Sequence, residues 1–150
     1  MSQETELKFI GPEDALSRLR ELPSMMRLAA GQRASTRELI SIYFDTDDFA
    51  LRRAGVVLRV RDEGQGFVQT VKSIDGPDAA TRTEIKSDVE TRAPNLKAIN
   101  DKRLRRVIVK AANKQDLKPV FAVEMQRTTV VLVPQRGREI EAAFDVGRVK

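Results

Sequence analysis

Charged residues recur at every second position along several short segments of this 150-residue chain. Glu4, Glu6 and Lys8 share one parity, as do Arg59 with Arg61, Thr70 with Lys72, Arg82 with Glu84 and Lys86, and Glu141 with Asp145. Arg127 stands inside an otherwise apolar run. In an extended chain, side chains two apart point to the same face, so each segment would carry one apolar face and one face of mixed charge. Arginine offers a planar fork to oxyanions and lysine a compact point charge. Glutamate and aspartate are oxygen ligands that suit hard divalent cations. There is no His and no Cys, which removes imidazole bases, zinc clusters, disulfides, iron–sulfur sites and thiol nucleophiles. Chemistry in this chain must come from carboxylates, amines, guanidiniums, hydroxyls and a bound metal.

The segments that would position these residues read mainly as β-structure. Alternation predicts strands over residues 5–10, 38–45, 56–62, 67–73, 81–89, 120–133 and 139–145. Glu63-Gly64-Gln65-Gly66 reads as a hairpin turn, and residues 134–138 as another turn. Pro12 suits a first helical position, and Ala15, Leu16, Leu19 and Leu22 follow at helical spacing. Residues 24–36 show no clear period, and residues 49–52 fit a short helical turn. Pro94 is expected to open one long helix, with an apolar stripe from Leu96 through Ile99, Leu104 and Ile108 to Ala111 and cations opposite. The length is that of one domain, and 41% apolar with 33% charged residues is a globular balance. Lys and Arg total 27 against 22 acids, a net +5, which favours an anionic partner without naming it. The N-terminus shows no signal-peptide pattern and no apolar run is long enough for a membrane span, so a cytoplasmic location is the expectation.

Two arrangements satisfy this pattern. The charged faces are either the wet side of a half-exposed antiparallel sheet, or the lining of a barrel whose apolar side packs outward against helices. Eight or so strands leave room inside a barrel for side chains or one small ligand. A lumen of Arg, Lys and carboxylates is costly if empty and is reasonable when it holds a metal and a polyanion. Parity alone does not choose between them.

The ordered set of motifs does bear on the choice. Glu4-Thr5-Glu6-Leu7-Lys8 resembles the Glu-x-Glu-x-Lys signature of the triphosphate tunnel metalloenzymes, the CYTH domain superfamily. Ile42-Tyr43-Phe44-Asp45-Thr46, Leu58-Arg59-Val60-Arg61, Thr70-Val71-Lys72, Arg82-Thr83-Glu84, Arg127 and the Phe144-Asp145-Val146-Gly147 turn are similar to the family's later motifs, in the same order. The overall look is similar to the bacterial inorganic triphosphatase branch, whose members often carry a C-terminal helical polyphosphate-associated domain. The resemblance implies an α+β fold, an antiparallel β-barrel or tunnel with helices packed outside. It implies one domain over residues 1–150. The family continues past the Asp-x-Gly turn into a closing strand of alternating Glu, so a fragment of a longer protein is the expectation.

The resemblance also implies roles. Lys8, Arg59, Arg61, Lys72, Arg82 and Arg127 would clamp a triphosphate, with Lys8 and Glu84 as the catalytic candidates. Glu4, Glu6, Glu141 and Asp145 would hold Mg²⁺ or Mn²⁺, with Glu84 also a second-choice ligand. The implied reaction is hydrolysis of inorganic triphosphate to pyrophosphate and phosphate, in which catalysis is mostly positioning and electrostatic stabilisation. A class IV-type adenylyl cyclase and a non-catalytic polyphosphate-binding module are the alternatives. Nucleic acid ranks last as a partner, because only 5% of residues are aromatic and bases need stacking platforms. The Lys102 to Arg106 run reads as the wet face of its helix, with a landing patch for polyphosphate or nucleic acid as the other reading.

Overall fold

The computed structural model describes residues 7–29, 31–74 and 82–150, with Ile74 and Arg82 described by their backbone. Two helices open it, α1 (Glu13–Glu21) and α2 (Pro23–Ala29), followed by strand β1 (Ser35–Asp45). A one-turn helix α3 (Ala50–Arg53) leads to β2 (Val56–Asp62), β3 (Phe67–Ile74) and β4 (Arg82–Val89). After a 3₁₀ turn (Leu96–Ala98) come α4 (Lys102–Ala112), β5 (Lys118–Gln135) and β6 (Arg138–Val149). The strands hydrogen-bond in the order β4-β3-β2-β1-β5-β6, and β1 to β4 pair antiparallel with their neighbours in this run. The α+β class with an antiparallel sheet is therefore the one the sequence predicts. No helix among the described residues is long and apolar enough to cross a membrane.

The chain divides into two compact units. The first joins Met1–Thr36 with Arg127–Val146, and the second joins Arg37–Gln126 with Gly147–Lys150. In the first unit Thr36 and Thr128 share a hydroxyl hydrogen bond of 3.0 Å. An apolar groove of about 480 Å³ there is lined by Met25, Met26, Val130, Leu132 and Phe144 among others. None of the predicted site residues borders it.

The second unit holds the core. Phe44, Val56, Leu58, Val60, Val71 and Val89 lie on one side of β1 to β4, and they pack against Leu51 of α3, Ile99, and Leu104 and Ile108 of α4. Their spacing is the period of two that a strand requires, matched to the i, i+4 spacing of Leu104 and Ile108 on α4. Arg59, Arg61, Lys72, Glu84 and Lys86 have the other parity and occupy the opposite side, whereas Glu38 and Asp62 share the core parity at the strand ends.

Three expectations are corrected, and one unassigned stretch gains a helix. Residues 7–10 are not part of a strand; Leu7, Phe9 and Ile10 are exposed, so no packing supports the extended form that their alternation invites. Residues 5 and 6 lie outside the described residues. Residues 23–29, without a visible period, form α2. The helix expected from Pro94 onward is two elements, because Asn95 caps the 3₁₀ turn through Lys97 N–H and Asp101 starts α4 by accepting from Leu104 N–H at 2.9 Å. The Phe144-Asp145-Val146-Gly147 stretch is no turn but the interior of β6.

Candidate functional site

Register places the charged side chains of the second unit in rows across the strands. Tyr43 pairs with Arg59, Arg59 with Thr70, and Thr70 with Lys86. One row along, Lys72 pairs with Glu84, and on the other flank Ser41 pairs with Arg61. All of these share one face by strand parity, so Arg59, Arg61, Lys72 and Glu84 are brought together on it. Arg82 closes β4 opposite Ile74 in the same ladder.

Hydroxyls fix the two guanidiniums. Arg59 Nη2 donates to Thr70 Oγ1 at 3.0 Å, and Arg61 Nε donates to Ser41 Oγ at 2.9 Å. Thr70 and Ser41 retain only 1% and 4% of their surface, while Lys72, Glu84 and Lys86 on the same face keep 41%, 36% and 65% of their side-chain surface. A neutral acceptor positions an arginine without cancelling its charge. For Arg59 nothing else does either: among the described residues it meets no carboxylate, and its Nε is buried without a hydrogen-bond partner. Leaving such a donor unmet is unfavourable by about 1–3 kcal/mol or more for a charged group.

Lys72 is paired differently. Its ammonium lies 2.9 Å from Glu84, and Lys86 reaches the other carboxylate oxygen at 3.5 Å. Burial pushes the Glu84 carboxyl up, but the hydrogen bond and charge of Lys72, with Lys86, outweigh it and hold the group below its ordinary range. Glu84 is thus ionised at neutral pH and bridges two cations.

In the first unit, Arg127 and Asp145 form a two-pronged pair, Nε to Oδ1 at 2.8 Å and Nη2 to Oδ2 at 2.7 Å. Both are about 30% exposed. The predicted clamp arginine thus holds the predicted metal ligand. Glu141 is exposed on β6, and Lys8 is exposed ahead of α1. Glu4 and Glu6 lie outside the described residues. No group of three or more acidic side chains able to hold a metal ion exists among the described residues. With Glu84 and Asp145 each occupied by cations, the described acids do not by themselves fit a divalent ion.

Several residues that matter here carry no charge pattern to betray them. Ser41 sits in a predicted strand but shows its role only through the register that sets it opposite Arg61. Asp45 and Thr46, counted above only as part of a motif, form the joint between β1 and α3. The Asp45 carboxylate accepts backbone N–H groups from Thr46, Leu51 and Arg52 at 2.7, 2.8 and 3.1 Å. Thr46 Oγ1 donates to Asp48 at 2.7 Å and accepts from Ala50 N–H at 2.9 Å. Tyr43 stacks on Phe121 with ring centroids 4.4 Å apart, which sets an aromatic pair beside Arg59.

The family model described as the CYTH domain matches residues 2–150. A Bacillus halodurans protein provisionally assigned as an adenylate cyclase superposes with a TM-score of 0.58 at 16% sequence identity, over 93% of this chain and 73% of that one. HpAC1 from Hippeastrum, provisionally assigned as an adenylyl cyclase and described as having a dominant triphosphatase activity, gives a TM-score of 0.45 at 14% identity, over 91% of this chain and 75% of that one. At these identities the first likeness establishes the fold alone.

Proposed function

Since the chain belongs to the CYTH domain family, we propose that it is a metal-dependent triphosphatase that hydrolyses inorganic triphosphate to pyrophosphate and phosphate. The observation that carries this reading is Arg59, a guanidinium anchored by a hydroxyl, with a buried Nε that lacks an acceptor among the described residues. Phosphate oxygens are acceptors of the right geometry for that fork. Arg61 and Lys72 flank it at adjacent register positions, and three cations suit a substrate bearing four or five negative charges.

In the proposed reaction a water oxygen bonds to the terminal phosphorus, the bridging P–O bond breaks, and its electron pair leaves on pyrophosphate. Arg59 and Arg61 bind and orient the oxygens where charge accumulates. Lys72 exchanges part of its contact with Glu84 for phosphate, and Glu84, already ionised, is the acceptor for the water's proton. Lys8, Arg82 and Arg127 complete the clamp in this proposal, Arg127 by releasing Asp145. Members of the family typically depend on a divalent metal; Mg²⁺ or Mn²⁺ is proposed here, with Glu4 and Glu6 as its first ligands and Glu141 and Asp145 as further ones. Among the described residues the acids do not by themselves form its site.

Phosphate release from triphosphate, ATP and thiamine triphosphate, measured with Mg²⁺ or Mn²⁺ and again with excess chelator, tests the proposal. Metal-dependent turnover with triphosphate preferred is the expected result. Binding of triphosphate without turnover, seen by calorimetry, would replace it with a polyphosphate-binding module. The Tyr43–Phe121 pair beside Arg59 supports a second reading, cyclisation of ATP on the same clamp, and formation of cyclic AMP distinguishes it.

A further inference from the structure

Helix α4 turns one side to the core and loads the other with cations. Leu104, Ile108 and Ala112 are buried, while Lys102, Arg103, Arg106 and Lys110 are exposed and Arg105 is partly so. Lys102, Arg106 and Lys110 form an i, i+4, i+8 row, with successive charges roughly 6 Å apart along the axis. Among the described residues none of these five cations sits in an ion pair. Lys72, Lys118, Arg127 and Arg148 each have a carboxylate partner, whereas Arg20, Arg27 and Arg33 likewise sit in no ion pair among the described residues, so it is the spacing in one row that sets the α4 cations apart.

The arrangement works against the helix itself. The first turn contains no acid, although the positive end of the helix dipole favours acids there and disfavours Lys102 and Arg103. The nearest acid, Asp101, spends its carboxylate on the cap bond to Leu104 N–H. Like charges at i, i+4 repel. The dipole favours Lys110 in the last turn, but helix stability does not account for Lys102 and Arg106, and a bound polyanion would relieve both the repulsion and the clash at the N-terminal end.

We propose that the outer face of α4 is a docking strip for linear inorganic polyphosphate. The proposal rests on the helix alone and stands whether or not the triphosphatase reading does. A phosphate-only chain suits the strip because the exposed face offers cations and one aliphatic residue, Val109, with no ring on which a nucleic-acid base would stack. An anionic bilayer is a poor match, since the apolar side of α4 is committed to the core and cannot insert.

The test titrates the whole chain with long-chain inorganic polyphosphate at several salt concentrations. Replacing Lys102, Arg106 and Lys110 by Gln together should weaken binding at least tenfold. It should also reduce the slope of log affinity against log salt by about 2, taking roughly 0.7 per neutralised phosphate of a single strand. The thermal midpoint should not fall, and turnover of free triphosphate should be unchanged. A matched variant, Arg20→Gln with Arg27→Gln and Arg33→Gln, removes the same charge elsewhere and should retain tight binding. Equal loss in both variants, no loss in the α4 variant, or a single-stranded oligonucleotide binding as tightly and with the same α4 dependence would each overturn the proposal. Arg106→Glu alone, expected to weaken polyphosphate binding more than Arg20→Glu, keeps the test decisive if the triple variant folds poorly.

Discussion

Arg59 and Lys72 lie on neighbouring strands, yet their surroundings prepare them for different work. Lys72 has a carboxylate 2.9 Å away, while Arg59 has a hydroxyl and an unmet Nε. Replacing Arg59 by Lys keeps a charge but loses the fork, and kcat/KM for triphosphate should drop by about a hundredfold, the scale at which one donor to a developing oxyanion matters. Steady-state phosphate release reads this, and the loss should appear with the thermal midpoint nearly unchanged, because an unmet buried donor is removed. The parity of charges was enough to group Arg59, Arg61, Lys72 and Glu84, since strand geometry alone fixes which side chains share a face. The sequence was silent on Gln69, a fully buried polar residue on the core side. Gln69 is satisfied by Asn95, whose backbone oxygen accepts from Nε2 at 3.0 Å and whose N–H donates to Oε1 at 2.7 Å. Both partners are 26 residues away, and no local rule signals a bond across that distance. Gln69→Leu should lower stability by about 1–3 kcal/mol by leaving the Asn95 backbone groups unpaired, measurable by urea unfolding.

Among the elements, β2 and β3 were legible because each alternates cleanly and a Gly-bearing turn joins them. Residues 94–112 were misread as one helix because Leu96, Ile99 and Leu104 continue a single apolar stripe across the break. Both elements bury the same side, so periodicity cannot see the joint; Asp101 at the cap can, and Asp101→Ala should cost about 1 kcal/mol of stability. In β6 the error ran the other way. Gly147 is no turn residue: it lies where β6 passes so close to β5 that an added Cβ would collide with the Glu124 carbonyl oxygen and press on Met125. Gly147→Ala must push backbone aside, and a loss of about 1–3 kcal/mol, the scale of overpacking, is expected. Thermal melts of the two variants check both, and a Gly147→Ala protein as stable as the wild type would show that the two strands separate without penalty.

At the scale of the whole molecule, the ion pairs are mostly peripheral, and pH exposes what they contribute. Asp48 is held at about 2 rather than 3.8, first by the hydroxyl of Thr46 and then by Arg53. Asp62 is lowered by the N–H of Gly64 and by Arg92, and Glu124 by Lys150 and Arg148. A carboxyl whose folded pKa is depressed lends stability above its unfolded value and loses it as pH falls through the folded one. These acids therefore place the acid limb between about pH 4.5 and pH 2, with Asp48 the last to titrate. Lys118, raised by its hydrogen bond and charge interaction with Asp47, acts in reverse: its contribution is present below pH 10.5 and fades as pH rises past that. Because these groups are exposed and screened, the shape of the curve carries the prediction rather than its height. Thermal midpoints followed from pH 7 to pH 2 in low salt should hold level to about pH 4.5 and then decline. Asp48→Asn should make the lowest part of that decline shallower, whereas a profile flat to pH 2 would mean that these pairs lend the folded chain nothing.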